Sequence, residues 1–216
     1  MAISLPDLLL GNCYERGRSA TVAVVTMELQ RGVVGDLATF PALRDAVVAN
    51  GAAKNAGKLC ERSRALGWPV VHCLAEFEPD WAGSVINTPL HRAMRRIPGH
   101  LVRGSDACQV VGEVGQQPSD FVVSRTTGVS PFIGTGLDQL LRSLNVTVLI
   151  VTGVSINLGV LGLCIEAANL GYQLVVGEDA VAGTPLAYAD SVLQESISLI
   201  ATIASTEEIL KAAPVS

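Results

Sequence analysis

Three short stretches of this chain carry side chains that could do chemistry. The apolar run at residues 21–27 (TVAVVTM) ends directly on Glu28-Leu29-Gln30. A carboxyl group at the end of an apolar strand can have a raised pKa, which suits a general acid near neutrality, and as a carboxylate it can serve as a base. A helix-capping or surface glutamate is the plainer alternative. The run at residues 121–124 (FVVS) leads into Arg125. Arginine stays charged in essentially any protein environment and presents a planar fork of donors. It is no proton shuttle, but it can hold a carboxylate or stabilise developing negative charge. It can also pair with Glu28 as an unreactive ion pair. The run at residues 146–153 (VTVLIVTG) passes through Val154-Ser155-Ile156-Asn157 into a helical pattern that carries Gly159. A helix N-terminus there offers unpaired N–H groups and the positive end of a dipole.

These stretches need a scaffold that brings them together. Six short, largely β-branched runs read as buried parallel strands: residues 21–27, 69–74, 121–124, 146–152, 172–177 and 199–204. Helical patterns alternate with them at about residues 43–66, 137–144, 158–170, 188–198 and 207–212. Pro41 stands just before the first helix, and Gly67, Asn145 and Gly171 are placed to stop helices. Repeated alternation implies an α/β fold of three layers, a parallel six-stranded sheet with helices on both faces. In such sheets ligands bind at the carboxyl ends of the strands. The long Gly-, Pro- and charge-rich segment 75–119 breaks the alternation and carries a short helix near residues 89–96, with Arg92, Arg95, Arg96 and Arg103. It reads as a lid or subunit contact, or as a solvated basic helix face. With no repeat or linker, residues 1–216 read as one domain.

The motifs together resemble the isochorismatase-like (cysteine hydrolase) superfamily. That family has an apolar strand followed by D-M-Q, here E-L-Q, and a strand followed by Lys and then S-A/P-F-x-G-T-x-L-D, here Arg125 and Ser130-Pro131-Phe132-Ile133-Gly134-Thr135-Gly136-Leu137-Asp138. Its turn G-V-A-T-N-x-C-V corresponds to Gly153-Val154-Ser155-Ile156-Asn157-Leu158-Gly159-Val160. Its G-Y-x-V-x-V-x-x-D-A corresponds to the stretch from Gly171-Tyr172-Gln173 to Glu178-Asp179-Ala180, with Asp179 a structural residue at the end of strand five. The resemblance runs from Thr21 to about Leu210. It implies a Rossmann-like strand order of 3-2-1-4-5-6 and a homodimer or homotetramer. It also implies a cis peptide between Val154 and Ser155.

By the same resemblance, Glu28 takes the place of the catalytic aspartate, with a reach longer by roughly 1.5 Å, one C–C bond. Arg125 takes the place of the lysine, and Gly159 that of the nucleophilic cysteine. Gln30, Phe132, Ser155, Ile156 and Asn157 fall at substrate-binding positions. Cys164 lies five residues beyond Gly159, about 140° away around a helix, and reads as core. The isochorismatases, which cleave a vinyl ether by acid catalysis without a covalent intermediate, have a turn similar to this one that reads G-V-Y-A-H-x-G. The implied activity is therefore hydrolysis of a small organic molecule by general acid/base catalysis from Glu28, without a cysteine. An inactive member that binds a small ligand or a protein partner is the alternative, followed by an amidohydrolase that uses another thiol.

Composition narrows the partners. Net charge is −5 with 4% aromatic residues, which argues against nucleic acid and anionic membranes. The five cysteines, Cys13, Cys60, Cys73, Cys108 and Cys164, are scattered without C-x-x-C, and they suggest a cytoplasmic protein with reduced thiols. The first residues, MAISLPDLLLGNCYERG, lack the basic start and long apolar run of a signal peptide. No metal site is expected, because His72, His91 and His100 show no D-x-H-x-H and the acidic group Glu76, Glu78, Asp80 lacks a ligand geometry. His72 reads as packed or hydrogen-bonded within strand two. Gly32 and Gly35 do not make G-x-G-x-x-G, so no dinucleotide, and no other cofactor, is expected.

Overall fold

The β-branched runs form one six-stranded sheet. In the computed structural model, which describes residues 4–10 and 21–214, the strands are β1 (Thr21–Met27), β2 (Val70–Ala75), β3 (Phe121–Arg125), β4 (Val146–Val154), β5 (Gln173–Ala182) and β6 (Thr202–Ala204). Their order is β3-β2-β1-β4-β5-β6, and every neighbouring pair is parallel. This is the order that the sequence resemblance implied. Successive side chains of a strand face opposite sides. Accordingly Val22 and Val24 enter one hydrophobic core, and Ala23, Val25 and Met27 enter the other. Both faces of β1 are sealed, as a parallel sheet requires.

The helices are α1 (Leu5–Leu10), α2 (Arg31–Val34), α3 (Pro41–Asn50), α4 (Ala52–Ala65), α5 (Pro89–Arg95), α6 (Leu137–Ser143), α7 (Leu161–Asn169), α8 (Leu186–Glu195) and α9 (Thr206–Ala212). The single helix expected at 43–66 is two. Gly51 adopts a left-handed φ of 72°, and the Asn50 amide closes the break by accepting from Ala52 N–H and donating to Val181 O. The fifth strand is longer than the pattern suggested. After a register shift it rejoins β4, pairing Val181 and Ala182 with Gly153 and Val154. Asp179 is thus inside β5 rather than at its end. Its carboxylate accepts from Thr206 N–H and Oγ1, both at 2.7 Å, and Asn55 donates to its carbonyl, so it ties β5 to α9 and α4. The sixth strand is shorter, because a 3-10 turn occupies Ile197–Leu199.

The segment 75–119 folds over the carboxyl end of the sheet. An isolated bridge from Val110 to Gln30 fastens it, and a second, from Val102 to Phe77, closes the segment on itself. Its helix α5 is two-sided: Arg92 and Arg95 are exposed, with Arg96 just beyond them, while His91 and Met94 are buried. His72 is bonded through both ring nitrogens, sharing hydrogen bonds with Thr26 Oγ1 (2.8 Å) and Asp120 Oδ2 (3.1 Å). Among the described residues no helix is long and apolar enough to cross a membrane. Cys13 and the chain start from residue 11 to residue 20 lie outside the described residues.

Candidate functional site

Glu28 leaves β1 with φ at +50°, a left-handed conformation, while its N–H donates to Cys73 O at 2.9 Å. Side chains other than glycine are held there at a cost of roughly 1–3 kcal/mol, and such positions gather at functional sites. The twist turns the carboxylate over the end of the sheet toward Arg125, the last residue of β3. The Arg125 Nε donates to Glu28 Oε1 at 3.0 Å, Nη2 donates to the same oxygen, and Nη1 donates to Gly128 O at 2.5 Å. The Arg125 side chain is 6% exposed and that of Glu28 15%. Arg125 thus grips one carboxylate oxygen. Among the described residues, none donates to Oε2.

The third contributor follows β4. Gly153 adopts φ of 104°, and a Cβ there would lie 2.1 Å from Met27 O, so only glycine lets β4 pass β1 so closely. The peptide between Val154 and Ser155 is cis, as the sequence resemblance implied. The chain then makes a π-turn at Ile156–Val160, in which Val160 N–H reaches back to Ser155 O at 3.0 Å, before α7 begins. The helix pattern read at 158 therefore opens earlier, and Gly159 lies within the widened turn. Ser155 Oγ donates to Asn157 Oδ1 at 2.7 Å.

Glu28, Arg125, Ser155, Asn157 and Gly159 line one crevice of about 410 Å³. This size suits a small organic ligand. Three residues expected at substrate-binding positions do not line it. Gln30 is fully buried, donating to Ala75 O (3.0 Å) and Cys108 O (3.2 Å) and accepting from Ala75 N–H (2.9 Å). It acts as a brace between β1, the end of β2 and the 75–119 segment. Phe132 and Ile156 are buried in the hydrophobic core that also holds Met27, where Phe132 meets the Tyr172 ring at 6.0 Å.

Sequence reasoning missed the rest of the lining. Phe40 and Leu43 at the start of α3, and Leu90, Met94, His100 and Leu101 of the 75–119 segment, form an apolar wall. The length of the segment was the one signal that it could cover a site. Burial pushes the His100 imidazole down to about 4, so it is neutral at physiological pH. The four described cysteines are all buried, and none lines the crevice. Burial pushes the Cys60 and Cys164 thiols up to about 12. Cys164 is core, as its helical angle indicated.

The chain matches the isochorismatase domain over residues 22–208. It belongs to the isochorismatase family. It is 30% identical to the uncharacterized isochorismatase family protein YecD of Escherichia coli O157:H7, over 89% of this chain and 96% of that one. It is 31% identical to the ureidoacrylate amidohydrolase RutB of Pseudomonas savastanoi pv. phaseolicola, over 58% of this chain and 56% of the other. An isochorismatase family protein from Burkholderia thailandensis superposes with a TM-score of 0.74 at 26% identity, over 89% of this chain and 95% of that one. Members named for an activity, such as RutB, are hydrolases of small molecules.

Proposed function

We propose that this isochorismatase-family protein hydrolyses a small organic molecule with Glu28 as general base and without a covalent intermediate. One observation carries the reading: Arg125 holds Glu28 through Oε1 alone and leaves Oε2 directed to no other described residue. Two Arg125 donors meet Oε1, and Oε2 is left to accept a proton, so the reading gives Glu28 the role of base rather than acid. Oε2 takes a proton from a water molecule while the water oxygen bonds to the electrophilic carbon. The bond to the leaving group then breaks, and the leaving group takes up the proton that Glu28 received. Arg125 and the Ser155–Asn157 turn supply donors for the charge that develops. Amides and ureas come first among substrates because of the likeness to RutB, and vinyl ethers follow because Gly159 supplies no thiol.

The reaction uses no metal. Glu28 and His100 are the metal-ligating types in the lining, and Arg125 occupies the one carboxylate. The protein works in the cytoplasm as a homodimer or homotetramer in this reading; exposed apolar side chains such as Leu186, Tyr188 and Leu199 support self-association. Sedimentation at micromolar concentration tests the assembly, and a 22.5 kDa species contradicts it. Gly159 gives a second reading its support, that of a member which binds a ligand without turnover. Mass-detected screening of amides, ureas and vinyl ethers separates the two: turnover lost in Glu28→Gln supports the hydrolase, and ligand binding without turnover supports the binder.

A further inference from the structure

The hydrogen-bonding side chains of the crevice come from one part of the fold. Glu28 follows β1, Arg125 ends β3, Ser155 and Asn157 follow β4, and Thr184 follows β5, so all of them belong to the carboxyl edge of the sheet. The wall from α3 and the 75–119 segment is instead built of Phe40, Leu43, Leu90, Met94 and Leu101. Leu158, 40% exposed, adds an apolar side chain from the turn that carries Gly159. His100 is the one titratable group of that wall. Burial lowers its imidazole to about 4, so it is neutral, and its Nε2 is closed off from solvent. Arg125 is fully engaged, because Nε and Nη2 donate to Glu28 Oε1 and Nη1 donates to Gly128 O. The Glu28–Arg125 pair is net neutral, and among the described residues no other charged side chain lines the crevice.

We propose that the crevice selects an uncharged substrate with an apolar body: an amide- or urea-type group held at the carboxyl edge of the sheet, and an aliphatic or aromatic remainder that lies against the wall from α3 and the 75–119 segment. This rests on the reading above that the substrate's scissile group sits at Glu28. Apolar surface that leaves water for such a wall gains free energy in proportion to its area. A carboxylate on the body would leave water for the same wall with no free cation to meet it, and the Glu28 carboxylate would repel it. An ammonium group finds the one carboxylate of the lining already paired with Arg125. The discrimination comes from what the wall lacks, because a charged competitor pays a desolvation penalty that an apolar one does not.

The test uses the full chain and two matched series of probes. The amides are acetamide, butanamide, hexanamide, adipic acid monoamide and 6-aminohexanamide; the ureas are methylurea, butylurea, hexylurea and 6-ureidohexanoic acid. In at least one series, calorimetric titration should show affinity rising about two- to fourfold for each methylene moved out of water. The carboxylate- and ammonium-ended probes of that series should bind at least about tenfold more weakly than the apolar probe of similar length. Where a probe is turned over, kcat/KM takes the place of the dissociation constant. Leu43 is half-buried in the wall, so Leu43→Lys sets a cation there and should narrow or reverse the rejection of the carboxylate-ended probes. In the unmodified protein the methyl NMR signals of Leu43, Leu90 and Met94 should move with the longest apolar probe and stay with the shortest, a readout that needs no variant to fold. Charged probes that bind as tightly as apolar ones, no gain with chain length, fixed methyl signals, or no binding at all overturn the assignment. So does a rejection that Leu43→Lys, shown to be folded by circular dichroism, leaves unchanged. Turnover separates this from the Glu28 reading. If Glu28→Gln turns over as fast as the wild type while the gain with length and the rejection of charge persist, the base is wrong and the substrate class stands. If Glu28→Gln is inactive and charged probes bind as well as apolar ones, the substrate class alone is wrong.

Discussion

Glu28→Gln is the substitution that bears most directly on the mechanism, and the geometry fixes how large its two effects should be. Glutamine keeps an oxygen where Arg125 Nε and Nη2 donate, so the contacts that hold Arg125, including the one to Gly128 O, survive. What disappears is the negative charge beside a guanidinium that is 6% exposed. Removing one partner of a fully buried pair costs about 3–5 kcal/mol. With the hydrogen bonds retained and Glu28 partly open to solvent, the loss should be nearer 1–2 kcal/mol, a fall of about 2–8 °C in melting temperature for a chain of this size. Turnover should fall far more, by about 10²–10⁴-fold, because an amide neither accepts nor returns the proton of water. Glu28→Asp keeps the acid/base group but withdraws it by roughly 1.5 Å, so its rate should lie between the other two. Rates are followed by mass detection on whichever substrate the screen yields, with circular dichroism melts on the same samples. A Gln variant that matches the wild-type rate refutes the role given to Glu28, and a Gln variant that is unfolded at 25 °C refutes the stability argument.

Gly159→Cys should not raise turnover and should lower stability by about 1–3 kcal/mol, since a Cβ there meets Met27 Cε at 2.9 Å and Val154 O at 3.1 Å; denaturant melts and thiol-reagent titration check both. Gln30→Leu should destabilise by about 2–4 kcal/mol through loss of its hydrogen bonds and the unpaired Ala75 N–H, yet leave the KM of the remaining activity nearly unchanged, unlike a substrate contact. Burial lowers the His100 imidazole to about 4 and that of His72 below its ordinary value. Stability from a depressed histidine is complete above the unfolded value near 6.5 and is lost as pH falls toward the folded one, so the melting temperature should drop between about pH 6.5 and 4. His100→Phe should flatten that drop, and an unchanged slope contradicts the assignment of burial as its cause.

The sheet was legible because its inner strands, β1, β2 and β4 above all, are buried on both faces and so read as continuous β-branched runs; the edge strands β3 and β6 are more exposed but keep the same composition. Its order was legible through the motif resemblance, not through any run by itself. The break at Gly51 was not, since one glycine inside a 3.6-residue periodicity is locally tolerable; it is the Asn50 amide, bonded to distant Val181, that selects two helices over one. The length of β5 was hidden for a similar reason. Glu178 is exposed and Asp179 half-buried, so the stretch looks like a strand end, and only its return to β4 at Val181 keeps it in the sheet. Glu28, Arg125 and the Ser155 turn could be located because each closes a strand at the same edge. Gln30 sits two residues past Glu28, but the backbone turns sharply at Glu28, and a neighbour in sequence becomes a brace beneath the site. His100 sends no signal in its own neighbourhood, because its partners Thr39 and Phe40 are some sixty residues away along the chain.

Met27 explains why Gly159 is more than a missing side chain. It precedes Glu28 in β1, is wholly buried, and lays its methyl tip where a Cβ at Gly159 would go. The position a Cβ would take in the turn is therefore crowded from the neighbouring strand. Gly153, the register partner of Met27 in β4, is held to glycine by the backbone of that same methionine. The close approach of β4 to β1, the Met27 tip over the turn and the turn of the chain at Glu28 form one packing unit. A Cβ at Gly159 requires the Met27 methyl tip to swing aside and the Val154 carbonyl to give slightly. In the proposed reading the carboxylate carries the reaction in a site whose turn is packed against Met27 on one side and open to the crevice on the other.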